Sequence, residues 1–265
     1  MAMVEEKATA EKLSALFIQI GRWQYYLLAL VATGFILFGE RFIRLWAGEG
    51  FEEAYGITLL IILPFTIDLI QNVGLAILQA ENRYDFRAKV YFVTGLFNLA
   101  LAIPLGMAYG GTGCAFATGL SMFLGNGLVM NWFYAKEIHL AIASFWWQIG
   151  RISVTVLITL LIGFGLVSGV GACGNIGFLV EIICYTFLYS IGIYTFAMND
   201  GERKKVRGIC GRTRMGRLVV LYLDRGEESM MRLNISRRLE IRGGRGSWPK
   251  LLIKKFLRHW DSSRK

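Results

Sequence analysis

Few side chains able to do chemistry interrupt the apolar runs of this sequence, and Asp68 is the one that most needs a reason. It stands near the middle of LLIILPFTIDLIQNVGLAILQAEN (59–82), one helical turn after Pro64. A carboxylate at the centre of a bilayer costs roughly 2.5–3.5 kcal/mol on insertion-derived scales. The fourteen Ile, Leu, Val and Phe residues between 57 and 80 offset this at roughly 0.3–0.6 kcal/mol each, so insertion is feasible. At 100° per residue, Pro64, Asp68, Gln71, Asn72 and Gln79 fall in an arc about 100° wide, interrupted by Leu75. Such a stripe faces other helices or water, not lipid. Pro64 lacks an amide donor and frees the carbonyl of Leu60, which predicts a kink or hinge there. The next apolar segment repeats the theme, with Tyr91, Thr94 and Asn98 along one face and Pro104 further out. The chemistry expected is non-covalent: a hydrated central cavity lined by Asp68, Gln71, Asn72, Tyr91, Thr94 and Asn98, with a hinge at Pro64. The alternative is that Asp68 and Asn98 simply hydrogen-bond to neighbouring helices, and for Asn98 that alternative is preferred.

Nothing points to chemistry on a covalent bond, so no enzyme is expected. The sequence has no HExxH motif, no Ser/His/Asp or Cys/His constellation and no paired carboxylates at catalytic spacing. Cys114, Cys173, Cys184 and Cys210 show no CxxC or framework spacing, and His139 and His259 have no cluster of ligands beside them. No disulfide, metal or cofactor is expected. The GGTG run at 110–113 follows no strand and precedes no lysine, so it reads as a tight hairpin and not a phosphate loop.

The elements that must position these residues are transmembrane helices. The chain has 265 residues, 55% of them hydrophobic. Segments long enough to cross hydrocarbon occur at about 23–39, 57–80, 90–109, 113–133, 149–168 and 176–198. Leu13, Leu16, Phe17 and Ile20 lie on one helical face ahead of the first, so that helix is expected to start near residue 9 and enter obliquely. Trp23, Tyr25 and Tyr26, then Trp132, Phe133 and Tyr134, then Trp146 and Trp147 suit the membrane edges. Glu181 lies near the outer edge of the sixth span, facing a cavity mouth or reaching the interface. Thr118, Ser121 and Gly125 form a small-residue face suited to close helix packing. The fold class is therefore all-α: a polytopic bundle of about six spans over 1–198, followed by a basic tail over 199–265. Five spans remain possible if the glycine-rich 163–174 is irregular.

Charge sets the orientation. Residues 1–198 carry ten Lys and Arg against twelve Asp and Glu, a net −2; the tail carries nineteen against seven, a net +12. Lys7, Lys12, Arg22, Arg83, Arg87, Lys89, Lys136 and Arg151 flank the spans on one side, with only Arg41 and Arg44 on the other. The positive-inside rule then puts both termini in the cytoplasm. Within the tail, SWPKLLIKKFLRHW (247–260) spaces Trp248, Leu251, Leu252, Phe256 and Trp260 helically among Lys250, Lys254, Lys255 and Arg258. A basic amphipathic helix of this kind lies on anionic lipid. The rest of the tail reads as largely disordered, and no nucleic-acid partner is expected. A shifted reading frame after about Gly211 is the alternative source of this composition.

Three stretches carry a family resemblance. IGRWQYYLLALVATGFILFGERFIRLWAGEGFEEAY (20–55), ILQAENRYDFRAKVYFVTGLFNLALAIPLGMAYGGTGCAFATGLS (77–121) and MNWFYAKEI (130–138) resemble the C-terminal half of polysaccharide flippases. These belong to the multidrug/oligosaccharidyl-lipid/polysaccharide exporter superfamily. The resemblance implies a bacterial cytoplasmic-membrane protein that moves lipid-linked oligosaccharide for surface polysaccharide biosynthesis by rocking two helical halves about a central cavity. Its charged cavity residue then falls at Asp68 and the Asn of the next helix at Asn98. It also implies a partner, either a separate second half-transporter or a second copy of this chain. The alternative is a non-transporting remnant or scaffold of a glycan-assembly complex.

Overall fold

A backbone crossing hydrocarbon must satisfy its own N–H and C=O groups, and the apolar runs of this chain fold accordingly as helices. The computed structural model describes residues 2–170 and 174–210. In order come α1 (Ala2–Ala47), α2 (Glu53–Leu69), α3 (Asn72–Ala80), α4 (Tyr84–Met122), a π-helical stretch Phe123–Val129, α5 (Met130–Lys136), α6 (Ile142–Val170), α7 (Gly174–Gly192), a second π-helical stretch Ile193–Ala197, and α8 (Asp200–Cys210). Among the described residues there is no strand, and the fold is an all-α bundle. The chain divides into two units, 1–198 and 199–265.

Among the described residues five helical segments are long and apolar enough to cross a membrane: Ala10–Ala47, Glu53–Ala80, Asp85–Lys136, Ile142–Val167 and Gly174–Ala197. The third, at 52 residues, is twice the length of a span. It folds back on itself at Gly110, whose φ of 59° and ψ of −137° leave the helical region. A left-handed φ of this kind is open to glycine at no steric cost. Thr118 Oγ1 meets Asn98 Oδ1 at 3.5 Å and the Cys114 thiol reaches the Ala102 carbonyl at 3.8 Å, as an antiparallel pair requires. The expected hairpin at 110–113 is thus present, and the bundle has six crossings, with 84–109 as the third and 111–136 as the fourth.

The first helix is longer than its apolar core predicts. Its 46 residues measure about 69 Å at 1.5 Å per residue, against about 30 Å of hydrocarbon. The surplus lies at the N-terminal end, where Phe17 is buried against Tyr134 and Phe145 and Ser14 accepts the Ala141 amide.

Two apolar clusters hold the bundle. One joins Phe17, Ile70, Leu78, Tyr134, Phe145 and their neighbours at the end carrying Arg83, Lys136 and Arg151. The other joins Tyr26, Phe38, Ile152, Phe178 and Tyr189 between α1, α6 and α7. Arg22, itself buried, ties them. It donates to Gln148 at 3.1 Å, to the Tyr26 hydroxyl at 2.8 Å and to the Ala197 carbonyl at 3.1 Å, where the sixth span ends. Within the second unit, α8 is capped by Glu202, whose carboxylate accepts the Asn199 amide at 2.9 Å. The tail beyond it, including the amphipathic segment 247–260 with Lys250, Lys254, Lys255 and Arg258, lies outside the described residues.

Candidate functional site

Span two is interrupted, but not where its proline predicts. Helix α2 runs through Pro64 unbroken. The Leu60 carbonyl that Pro64 frees points at Gly119 of span four, where an added Cβ would come within 2.6 Å of it. Close approach of a bare glycine backbone to that oxygen lets the helix continue. The break comes at Ile70–Gln71, between α2 and α3, with Gln71 at φ −104° and ψ 8°. Span one makes this break. Gln24, with its amide nitrogen turned toward it, donates to the Leu69 and Ile70 carbonyls at 3.1 and 3.3 Å. Gly21 admits the Ile70 carbonyl so closely that a Cβ there would lie 2.8 Å from it and 2.5 Å from the Phe145 ring. Besides the proline of α2, span two thus has a helix break six residues later, packed against a neighbouring helix.

The break changes the phase of the polar stripe. Asp68, at the end of α2, turns toward span three and meets Arg87. Arg87 Nη2 lies 3.3 Å from Asp68 Oδ1, and the Tyr91 hydroxyl donates to the same carboxylate at 3.2 and 3.3 Å. Arg87 also donates to the Tyr91 hydroxyl at 2.9 Å and, through Nη1, to the Tyr134 hydroxyl at 3.1 Å. Its guanidinium carbon sits 5.1 Å from the Tyr91 ring centroid. Asp68 thus accepts from a cation and a phenol, as a carboxylate removed from water requires. The side chains of Arg87 and Asp68 are 9% and 17% exposed, whereas Tyr91 is 42% exposed, so one side of the cluster is open.

The other expected lining residues scatter. Gln71 is 3% exposed, and neither its amide nitrogen nor its oxygen has a hydrogen-bond partner. Asn72 is exposed. Thr94 and Asn98 belong to the packing of spans three and four: Thr94 lies where a Cβ on Gly125 would approach to 2.4 Å, and Asn98 accepts from Thr118. Of the six expected to line a cavity, the structure brings together Asp68 and Tyr91. It adds Arg87 and Tyr134, which sequence reasoning places at the membrane edge. The signal for Arg87 was its spacing of four from Tyr91, together with the need of Asp68 for a cation.

A second charged contact lies at the opposite end. Arg41 Nη1 is 3.4 Å from Glu181 Oε2, and its Nη2 donates to the Gly174 carbonyl at 2.9 Å. Glu181 therefore meets span one. Glu40, Ile43, Arg44, Gly48, Glu52 and Tyr55 line a shallow surface depression too small to be a cavity. Among the described residues no three of His, Cys, Asp and Glu are placed to hold a metal ion.

No protein-family model, no curated protein and no solved structure matches this chain.

Proposed function

We propose that this chain is one six-span bundle of a transporter that carries lipid-linked oligosaccharide across a bacterial cytoplasmic membrane, with Asp68, Arg87 and Tyr91 facing the transported head group. The observation that carries this reading is the open side of the cluster. Asp68 is twelve residues from one end of the 53–80 segment and fifteen from the other, so it lies within the apolar length of that segment. Lipid tails cannot solvate a part-exposed ion pair there, whereas sugar hydroxyls or water can. The exposed side chains of spans five and six include Leu157, Ile158, Leu161, Val180 and Ile183, which suit lipid. The family resemblance of 20–138 supports the same reading. The second bundle that alternating access needs is a partner of this face, and the basic tail lies in the cytoplasm.

Asp68→Ala should lower surface polysaccharide in the producing cell by much more than it lowers the abundance of the protein in the membrane fraction. Equal loss of both would reject the reading and favour a non-transporting scaffold. That second reading has its own support, because both Asp68 oxygens already accept hydrogen bonds within the bundle.

A further inference from the structure

Arg87 has two directions open to it, and the structure holds it in the less obvious one. Its Cα lies three residues into α4, about 4.5 Å from the start of that helix. From such a position the three-methylene stem of an arginine can carry its head back to the interface. Here the head points the other way, to Tyr91 one turn deeper and to Asp68. The Tyr134 hydroxyl is the group on its far side. Tyr134 is 1% exposed, and its position is set in turn by α3. Gly74, buried in the first turn of α3, lies so close that a Cβ on it would come within 2.5 Å of the Tyr134 Cζ and hydroxyl oxygen.

We infer that α3 positions Arg87 through Tyr134: with Gly74 against the phenol ring, the hydroxyl takes one guanidinium nitrogen and leaves the other aimed at Asp68. Gly74 and Tyr134 are positioning residues for the Asp68 cluster, a role that rests on reading that cluster as the substrate-facing site. The contact joins two parts of one span that the break at Gln71 separates. Asp68 ends the helix before the break, and Gly74 begins the helix after it. The route between them runs outside the span, from Gly74 to Tyr134 on span four, to Arg87 on span three, and back to Asp68. A shift of α3 along Tyr134 therefore changes whether the Asp68 carboxylate has its cation, without bending α2.

The test is a set of double-mutant cycles on the purified full-length protein, with the thermal midpoint as readout. Tyr134→Phe deletes one oxygen, and Gly74→Ala pushes the ring away. Asp68→Asn is then introduced into the wild type and into each of these backgrounds. If Tyr134 aims Arg87, the midpoint shift caused by Asp68→Asn should fall by half or more in the Tyr134→Phe background. It should fall similarly in Gly74→Ala, and combining the two should add nothing further. An unchanged Asp68→Asn shift in the Tyr134→Phe background overturns the inference, since a ring that merely fills space couples to nothing at Asp68. Should Gly74→Ala fail to accumulate, the Tyr134→Phe cycle decides alone. The cycle needs no transport. Coupling found together with normal polysaccharide in Asp68→Ala cells would remove the transport reading and leave the positioning role standing.

Discussion

The Asp68–Arg87 and Arg41–Glu181 pairs both join spans, and they differ in what surrounds them. At Arg41–Glu181 the arginine is 38% exposed and the carboxylate 8%, at a bundle end where water or head groups reach the cation. Its other contacts are of a fastening kind: the Gly174 carbonyl at the start of span six, and the Phe178 ring 4.9 Å from the guanidinium carbon. At Asp68–Arg87 the arginine is the enclosed partner, each charge has a phenol beside it, and the open side lies at Tyr91. An exposed arginine loses little when its acid is removed, because solvent takes over. An enclosed arginine has no such recourse.

The largest effect therefore belongs to the enclosed pair. Arg87→Leu leaves the Asp68 charge without a cation and should cost about 3–5 kcal/mol, read as a fall in the thermal midpoint of the purified protein. Adding Asp68→Leu should recover most of that loss, because removing both charges also removes the cost of burying them. If the double variant is no more stable than Arg87→Leu, the pair is not what holds these spans.

This contrast was only half legible in the sequence. The apolar segments and the turn at Gly110 follow from composition and local chemistry, which act over a few residues, and the structure has both. Asp68 drew notice by its cost. Its partner did not, because Arg87 stands at the start of a helix, where a basic residue ordinarily marks the interface. Tyr134 was hidden in the same way among the aromatic residues that edge a span. The helix break was missed for a related reason. Pro64 is a local signal, whereas Gln71 owes its conformation to Gly21 and Gln24 on another helix. Neither residue marks a break when read within its own segment. Polar Gln71 and Asn72 were placed on the stripe by assuming one straight helix, and the break removes that assumption.

Next in size is the seat of the break. Gly21→Ala would drive a methyl group into the Phe145 ring and the Ile70 carbonyl, neither of which can move freely. Overpacking at such a site costs about 1–3 kcal/mol. The matching change on the opposite side of the comparison, Gly34→Ala in the same helix, meets nothing within 4 Å and should be neutral. Limited proteolysis of the two variants in membranes separates them: faster cutting of Gly21→Ala alone supports the seat, and equal rates argue against it. Gln24→Leu should cost somewhat less, about 1–2 kcal/mol, for the loss of the amide donor to the Leu69 and Ile70 carbonyls.

The smallest effect falls at the other pair. Glu181→Gln removes the carboxylate from Arg41, whose head is already part-exposed and still donates to the Gly174 carbonyl. The expected cost is about 1 kcal/mol or less, reduced further by salt because the site is reached by water. Raising the ionic strength should therefore narrow the gap in thermal midpoint between Glu181→Gln and wild type. The same change should leave the gap between Arg87→Leu and wild type nearly unaltered, since mobile ions do not reach so enclosed a pair. Equal salt sensitivity at both pairs would mean that Asp68 and Arg87 are as well hydrated as Arg41. The enclosure that distinguishes the two sites would then be lost.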